Sequence, residues 1–109
     1  METTICENAC GGTGTLKLEN ILGAAQMGDK CSLYARATLQ PGSSVGYHVH
    51  NGNGECYFIL SGSGTYDDNG VKRTVKAGDV TWTPDGSGHS LTNDGGPEDL
   101  VFIALIINS

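Results

Sequence analysis

The sequence predicts an all-β fold of two packed antiparallel sheets, a sandwich or barrel, and three observations carry that reading. Glycine takes 17 of the 109 positions and proline three, a composition that suits turns better than helix interiors. From Pro41 onward the turn signals Pro41-Gly42, Asn51-Gly52, Asn53-Gly54, Asn69-Gly70 and Asp85-Gly86 follow one another closely. They leave short strand-like runs between them, the spacing expected of a sandwich or barrel.

Taken in order, residues 1–4 lack the basic start and apolar stretch of a signal peptide, so the expected compartment is the cytoplasm. Residues 16–22 fit either strand or helix, and residues 23–27 can make one helical turn. Strands are expected at 32–39, 44–50, 56–60, 65–67, 71–75, 79–83, 90–93 and 100–107. Asn69-Gly70 joins two of these runs, and both residues tolerate the positive φ of a tight hairpin. The apolar run 100–107 is far shorter than the ~20 residues of a membrane span. It needs cover on both faces, as an internal or intersubunit strand does. Neither an internal repeat nor a low-complexity linker interrupts the chain, so residues 1–109 are expected to form a single domain.

The net charge is −6, from six Lys and Arg against twelve Asp and Glu. The few cations are scattered, whereas displacing counterions from phosphate requires them clustered. No nucleic acid and no membrane is expected as a partner. Cys6, Cys10, Cys31 and Cys56 are even in number, but without a secretory signal reduced thiols are expected. Cys6 and Cys10 do not form a redox CxxC, and these cysteines are read as structural or incidental.

Chemistry concentrates in the three histidines. His48 and His50 alternate on one predicted strand, so both rings leave the same face about 7 Å apart. The loop 51–54 can reverse the chain and return Glu55 beside them. Two imidazoles and a carboxylate, with His89 on a nearby strand, make a mixed nitrogen–oxygen donor set. It suits manganese, iron, cobalt, nickel, copper or zinc and leaves positions open for water or substrate. Taken alone, a bare His-x-His on a strand reads more readily as two exposed polar side chains.

The spacing around these residues resembles the cupin superfamily. Its first motif, G-x5-H-x-H-x3,4-E-x6-G, is met by Gly42, His48, His50, Glu55 and Gly62. Its second, G-x5-P-x-G-x2-H-x3-N, is met by Gly78, Pro84, Gly86, His89 and Asn93. The resemblance, with core motifs at 42–62 and 78–93, implies a cupin jelly-roll β-barrel. It implies metal ligands at His48, His50, Glu55 and His89, and one divalent transition-metal ion per chain (Mn, Fe, Ni, Co or Zn). Asn93 is read as a hydrogen-bonding support rather than a ligand.

Tyr57 and Ile59 share the face of Glu55 and should line the cavity, Tyr57 being the candidate for acid–base catalysis. Trp82 is read as core or cavity wall, and Arg36 as a solvated surface residue. If the donors point inward, Val45, Tyr47, Val49, Phe58 and Leu60 form an outward apolar row. Such a row marks an interface, and a homodimer is expected, the common state among cupins. The alternative cover is residues 16–22 folded back over the same face. The functional expectation is a small metalloenzyme acting on a small polar organic molecule, of isomerase, dioxygenase, decarboxylase or lyase type. A non-catalytic, metal-dependent binding or sensing module is the alternative.

Overall fold

The computed structural model describes residues 1–109. In chain order the elements are β1 (Thr3–Glu7), a 3-10 turn (Ala9–Gly11), β2 (Thr15–Asn20), α1 (Ala24–Met27), β3 (Cys31–Leu39) and β4 (Ser44–Val49). There follow β5 (Asn53–Ser61), β6 (Ser63–Asp68), β7 (Val71–Lys76), β8 (Val80–Thr83), β9 (Gly88–Thr92) and β10 (Leu100–Asn108). Six strands form one antiparallel sheet in the order β1-β2-β3-β10-β5-β8, and four form the other in the order β4-β9-β6-β7. No helix is long and apolar enough to cross a membrane.

Each expected run from residue 32 onward is a strand, within a few residues at its ends. The single helical turn is present as α1. Between β6 and β7, Asn69 (φ 51°) and Gly70 (φ 98°) both lie in the left-handed region, as a tight two-residue hairpin requires. The ambiguous segment after Thr15 is a strand, β2, paired with β3 at Leu16↔Leu39 and Leu18↔Ala37. β1, which the sequence pattern did not single out, is an almost fully exposed edge strand beyond it.

The core lies between the sheets. Leu39, Ile59, Leu91, Leu100 and Phe102 are essentially sealed from solvent, and the Tyr66 ring crosses the gap from β6. β10 is the central strand of the large sheet, held by β3 on one side and β5 on the other. Its inward residues Leu100, Phe102 and Ala104 are buried, while Val101, Ile103 and Leu105 face outward and are half-covered.

Three expectations need correction. Val45 points inward and is 4% exposed. Along β4 the pair Val45↔Leu91 is followed by His48↔His89, so three steps on β4 match two on β9. That β-bulge reverses the side-chain parity and puts Val45 and His48 on the same face. Second, the outward residues do not make one row: Tyr47 and Val49 lie on the small sheet, Phe58 and Leu60 on the large one. Third, Trp82 is 48% exposed and faces outward, because its cross-strand partner is Cys56 rather than Glu55. Phe58, Leu60, Val80 and Trp82 thus share the outer face of the large sheet with Ile103 and Leu105. β2 lies in the plane of that sheet and leaves this face uncovered.

Candidate metal centre

His48 stands on β4 directly opposite His89 on β9. His50 follows one residue beyond the end of β4, and the chain reverses through Gly52 (φ 80°) into β5. Asn53 is already part of β5, earlier than expected, and two residues later the strand delivers Glu55. The His50 backbone is fastened to the second motif: its N–H donates to Ser87 O at 3.0 Å, and its carbonyl accepts from Gly86 N at 2.7 Å. Gly52 N also donates to Asp85 Oδ1 at 2.9 Å. Two segments distant in sequence are thereby locked together at the turn that sets the geometry.

The four expected side chains converge. His50 Nε2 lies 3.1 Å from His89 Nε2, which is 3.1 Å from His48 Nε2. Glu55 Oε1 is 3.0 Å from His89 Nε2, 3.2 Å from His50 Nε2 and 4.0 Å from His48 Nε2. All four donor atoms fall within 4.8 Å of one another. His50, Glu55 and His89 are buried, and His48 is partly open toward the cavity.

Each ring is also held from behind. His48 Nδ1 meets Gly46 O at 2.7 Å, and His50 Nδ1 meets Asn53 Oδ1 at 2.6 Å. His89 Nδ1 meets the Tyr66 hydroxyl at 2.8 Å and Thr83 Oγ1 at 2.9 Å, and these two hydroxyls are 2.6 Å apart. A carbonyl oxygen can only accept, so the Nδ1 of His48 and of His50 carries the proton and Nε2 presents its lone pair inward. Two nitrogen lone pairs, His89 Nε2 and a carboxylate oxygen then face one point. Four nitrogen and oxygen donor atoms converging on one point are a set that a divalent transition metal satisfies.

The electrostatics agree with that assignment. Burial alone would raise the Glu55 carboxyl, but the His48 and His89 imidazoles overcome it and hold the pKa at about 2. Glu55 raises the His48 imidazole above its ordinary value against partial burial. Burial lowers His89, outweighing the same carboxylate. A carboxylate charged throughout and a deeply buried imidazole kept neutral are the forms that ligate metal.

Beside the four donors lies a cavity of about 360 Å³. Tyr57 is on its wall as expected, stacked on the His89 ring at 5.0 Å and tilted against Phe102 at 4.6 Å. Burial, reinforced by the charge of Glu55, raises its phenol well above the ordinary value, so Tyr57 is a proton-bearing donor at neutral pH. Ile59 is core, adjoining the cavity floor rather than lining it. Asn93 is buried and donates through Nδ2 to Leu39 O at 2.8 Å and Glu98 O at 2.9 Å, the supporting role expected of it. Arg36 is on the outer surface, paired with Glu19 through two hydrogen bonds of 3.1 and 3.0 Å. All four cysteines are free, yet Cys6 and Cys10 line the cavity, a placement their spacing did not reveal. Asn53, Tyr66 and Thr83, the partners of the imidazoles, were likewise not singled out. Thr83 reaches the site because it pairs with Glu55 across β5 and β8, a register that the sequence does not encode locally.

An antiparallel double sheet gathering three imidazoles and one carboxylate at one end defines a β-barrel protein with a His3Glu group suited to one metal ion. The Cupin domain family model matches residues 35–106, and the chain belongs to the cupin family. The oxalate-binding protein of Thermotoga maritima is 46% identical over 100 residues, covering 92% of this chain and 82% of its own length. The crystal structure of a predicted oxalate decarboxylase from Thermotoga maritima superposes with a TM-score of 0.94 at 42% identity, covering 100% of this chain and 94% of that one. A Cupin 2 conserved barrel domain protein from Salinispora arenicola shares the fold at TM-score 0.72 and 22% identity, over 86% of this chain and 76% of that one.

Proposed function

We propose that this protein binds one divalent transition-metal ion (Mn, Fe, Ni, Co or Zn) through His48, His50, Glu55 and His89. The ion in turn holds a small carboxylate that chelates through two oxygens. The observation that carries this reading is the convergence of three Nε2 atoms and Glu55 Oε1 with every imidazole tied from behind. Four protein donors leave positions open on an ion that prefers more, and the cavity gives access to them from one side. Oxalate, named for the Thermotoga maritima relative, belongs to the chelating class.

Turnover of the bound molecule, as an isomerase, dioxygenase, decarboxylase or lyase, is a second reading, favoured by Tyr57. A bound ion would polarise a ligand carboxylate or carbonyl oxygen. The protonated Tyr57 hydroxyl on the cavity wall would donate to the same ligand. We further infer that two chains pair through the outer face of the large sheet, and that the protein works in the cytoplasm, where four free thiols persist.

Elemental analysis of the purified protein should return about one transition-metal ion per chain. Calorimetry should show oxalate binding only to the loaded form, and His50→Ala should abolish both. Protein that takes up no metal on titration overturns the proposal. Consumption of a carboxylate by the loaded protein, lost in Tyr57→Phe with binding retained, decides for the catalytic reading.

A further inference from the structure

We propose that the cavity beside the four donors is a pocket for an apolar side chain. The preferred ligand is then a 2-oxo or 2-hydroxy carboxylate with an aliphatic or aromatic tail, rather than oxalate itself. This inference rests on the metal–carboxylate reading above and adds to it the shape of the ligand.

Fourteen residues line the cavity and eleven are hydrophobic; the other three are His48, His50 and Glu55. Apart from the Tyr57 hydroxyl, every strongly polar side chain on the wall is therefore already committed to the donor set. No Lys or Arg reaches the cavity. Oxalate that chelates through one oxygen of each carboxylate would leave its two remaining charged oxygens in a cavity walled by residues such as Val45, Phe102 and Ile106. They would lose water there without gaining a cationic partner, a costly exchange. A 2-oxo acid offers the same two-oxygen bite, one carboxylate and one carbonyl oxygen, and directs its remaining carbons at the apolar wall.

The volume agrees. About 360 Å³ lies within the ~300–1,000 Å³ typical of small-molecule sites, more room than two directly joined carboxylates fill. The hollow has an identifiable cause in the register. From Glu55 one inward row runs through Ile106 to Leu33, and from Tyr57 the next runs through Ala104 to Ala35. The neighbouring inward position on β10 holds Phe102, but the Tyr57 row carries only methyl groups on the two central strands. Small residues at the middle of the sheet leave the floor low, while Leu33 and Leu18 close the far side.

The test is calorimetry on the manganese-loaded full chain with oxalate, pyruvate and 4-methyl-2-oxopentanoate. Each buried methylene contributes about fourfold in affinity, so the three carbons that the last adds to pyruvate should tighten binding by roughly sixtyfold. Ala104→Leu, which fills the floor, should remove that gain while manganese and pyruvate still bind. Leu33→Asn, at the far wall, should shrink it without altering the floor. Equal affinity for pyruvate and 4-methyl-2-oxopentanoate, or tighter binding of oxalate than of the tailed acid, overturns the inference and leaves the metal–carboxylate reading intact. A chain that takes up no manganese overturns both.

Discussion

Each imidazole of the centre has a different kind of partner behind it: a backbone carbonyl for His48, a side-chain amide for His50 and a pair of hydroxyls for His89. The His50 tie is the one that a single substitution removes cleanly. Asn53→Ala should keep the fold and weaken metal affinity by about 10–100-fold, the usual effect of losing an outer partner; isothermal titration with manganese checks it. Protons compete for the same nitrogens. Glu55 stays ionised because its pKa is about 2, whereas His48, raised by that carboxylate, gains a proton on acidification before the buried His89 does. Metal affinity should therefore decline progressively below about pH 7, measured against a chelating dye between about pH 8 and pH 5. An affinity unchanged across that range contradicts the assignment. The four donors were legible because their spacing is fixed by two motifs. Asn53 and Tyr66 were not, because an orienting partner needs only to arrive from some strand, and short-range spacing does not encode which.

At the level of elements, the β4 bulge decides what faces the cavity. A regular strand would send Val45 outward; one extra residue turns it in beside His48. The bulge also brings the 3-10 turn against β4, since a Cβ on Gly46 would run into Cys10 O and Gly12 N. Gly46→Val should cost about 1–3 kcal/mol, the range for overpacked sites, and should loosen the Gly46 carbonyl that holds His48. Urea denaturation showing wild-type stability would contradict this contact. Bulges of this kind leave no mark in a period-two pattern, so alternation alone places Val45 on the wrong face. β1 escaped notice for a different reason: Thr3–Glu7 buries almost nothing and carries no alternation to detect. β2 was ambiguous because Leu16 and Leu18 alternate, but the apolar Ile21 and Leu22 beyond them blur the period.

On the scale of the whole molecule, the outer face of the large sheet carries Phe58, Leu60, Val80 and Trp82, exposed together. The Glu19–Arg36 ion pair stands on β2 and β3, on the opposite side of β10. An apolar stripe of this sort covers itself most simply with a second copy. Sedimentation at micromolar concentration should give a dimer mass, and Phe58→Asp with Trp82→Asp should give a monomer that still binds manganese. A wild-type monomer refutes the pairing. The strand pattern alone made the sheet architecture readable. Which apolar residues shared a face was not, because that depends on cross-strand register across β5, β8 and β10.

The cavity wall is assembled from two stretches of chain. The four donors lie between residues 48 and 89, inside the segment that matches the family model. Six of the residues bordering the hollow, Cys6, Ala9, Cys10, Leu16, Leu18 and Leu33, precede that segment. Ion chemistry is therefore written wholly inside that segment, whereas ligand shape is written partly outside it. A graft of residues 1–34 from another barrel of this kind would change which molecule enters while leaving the inherited coordination chemistry untouched.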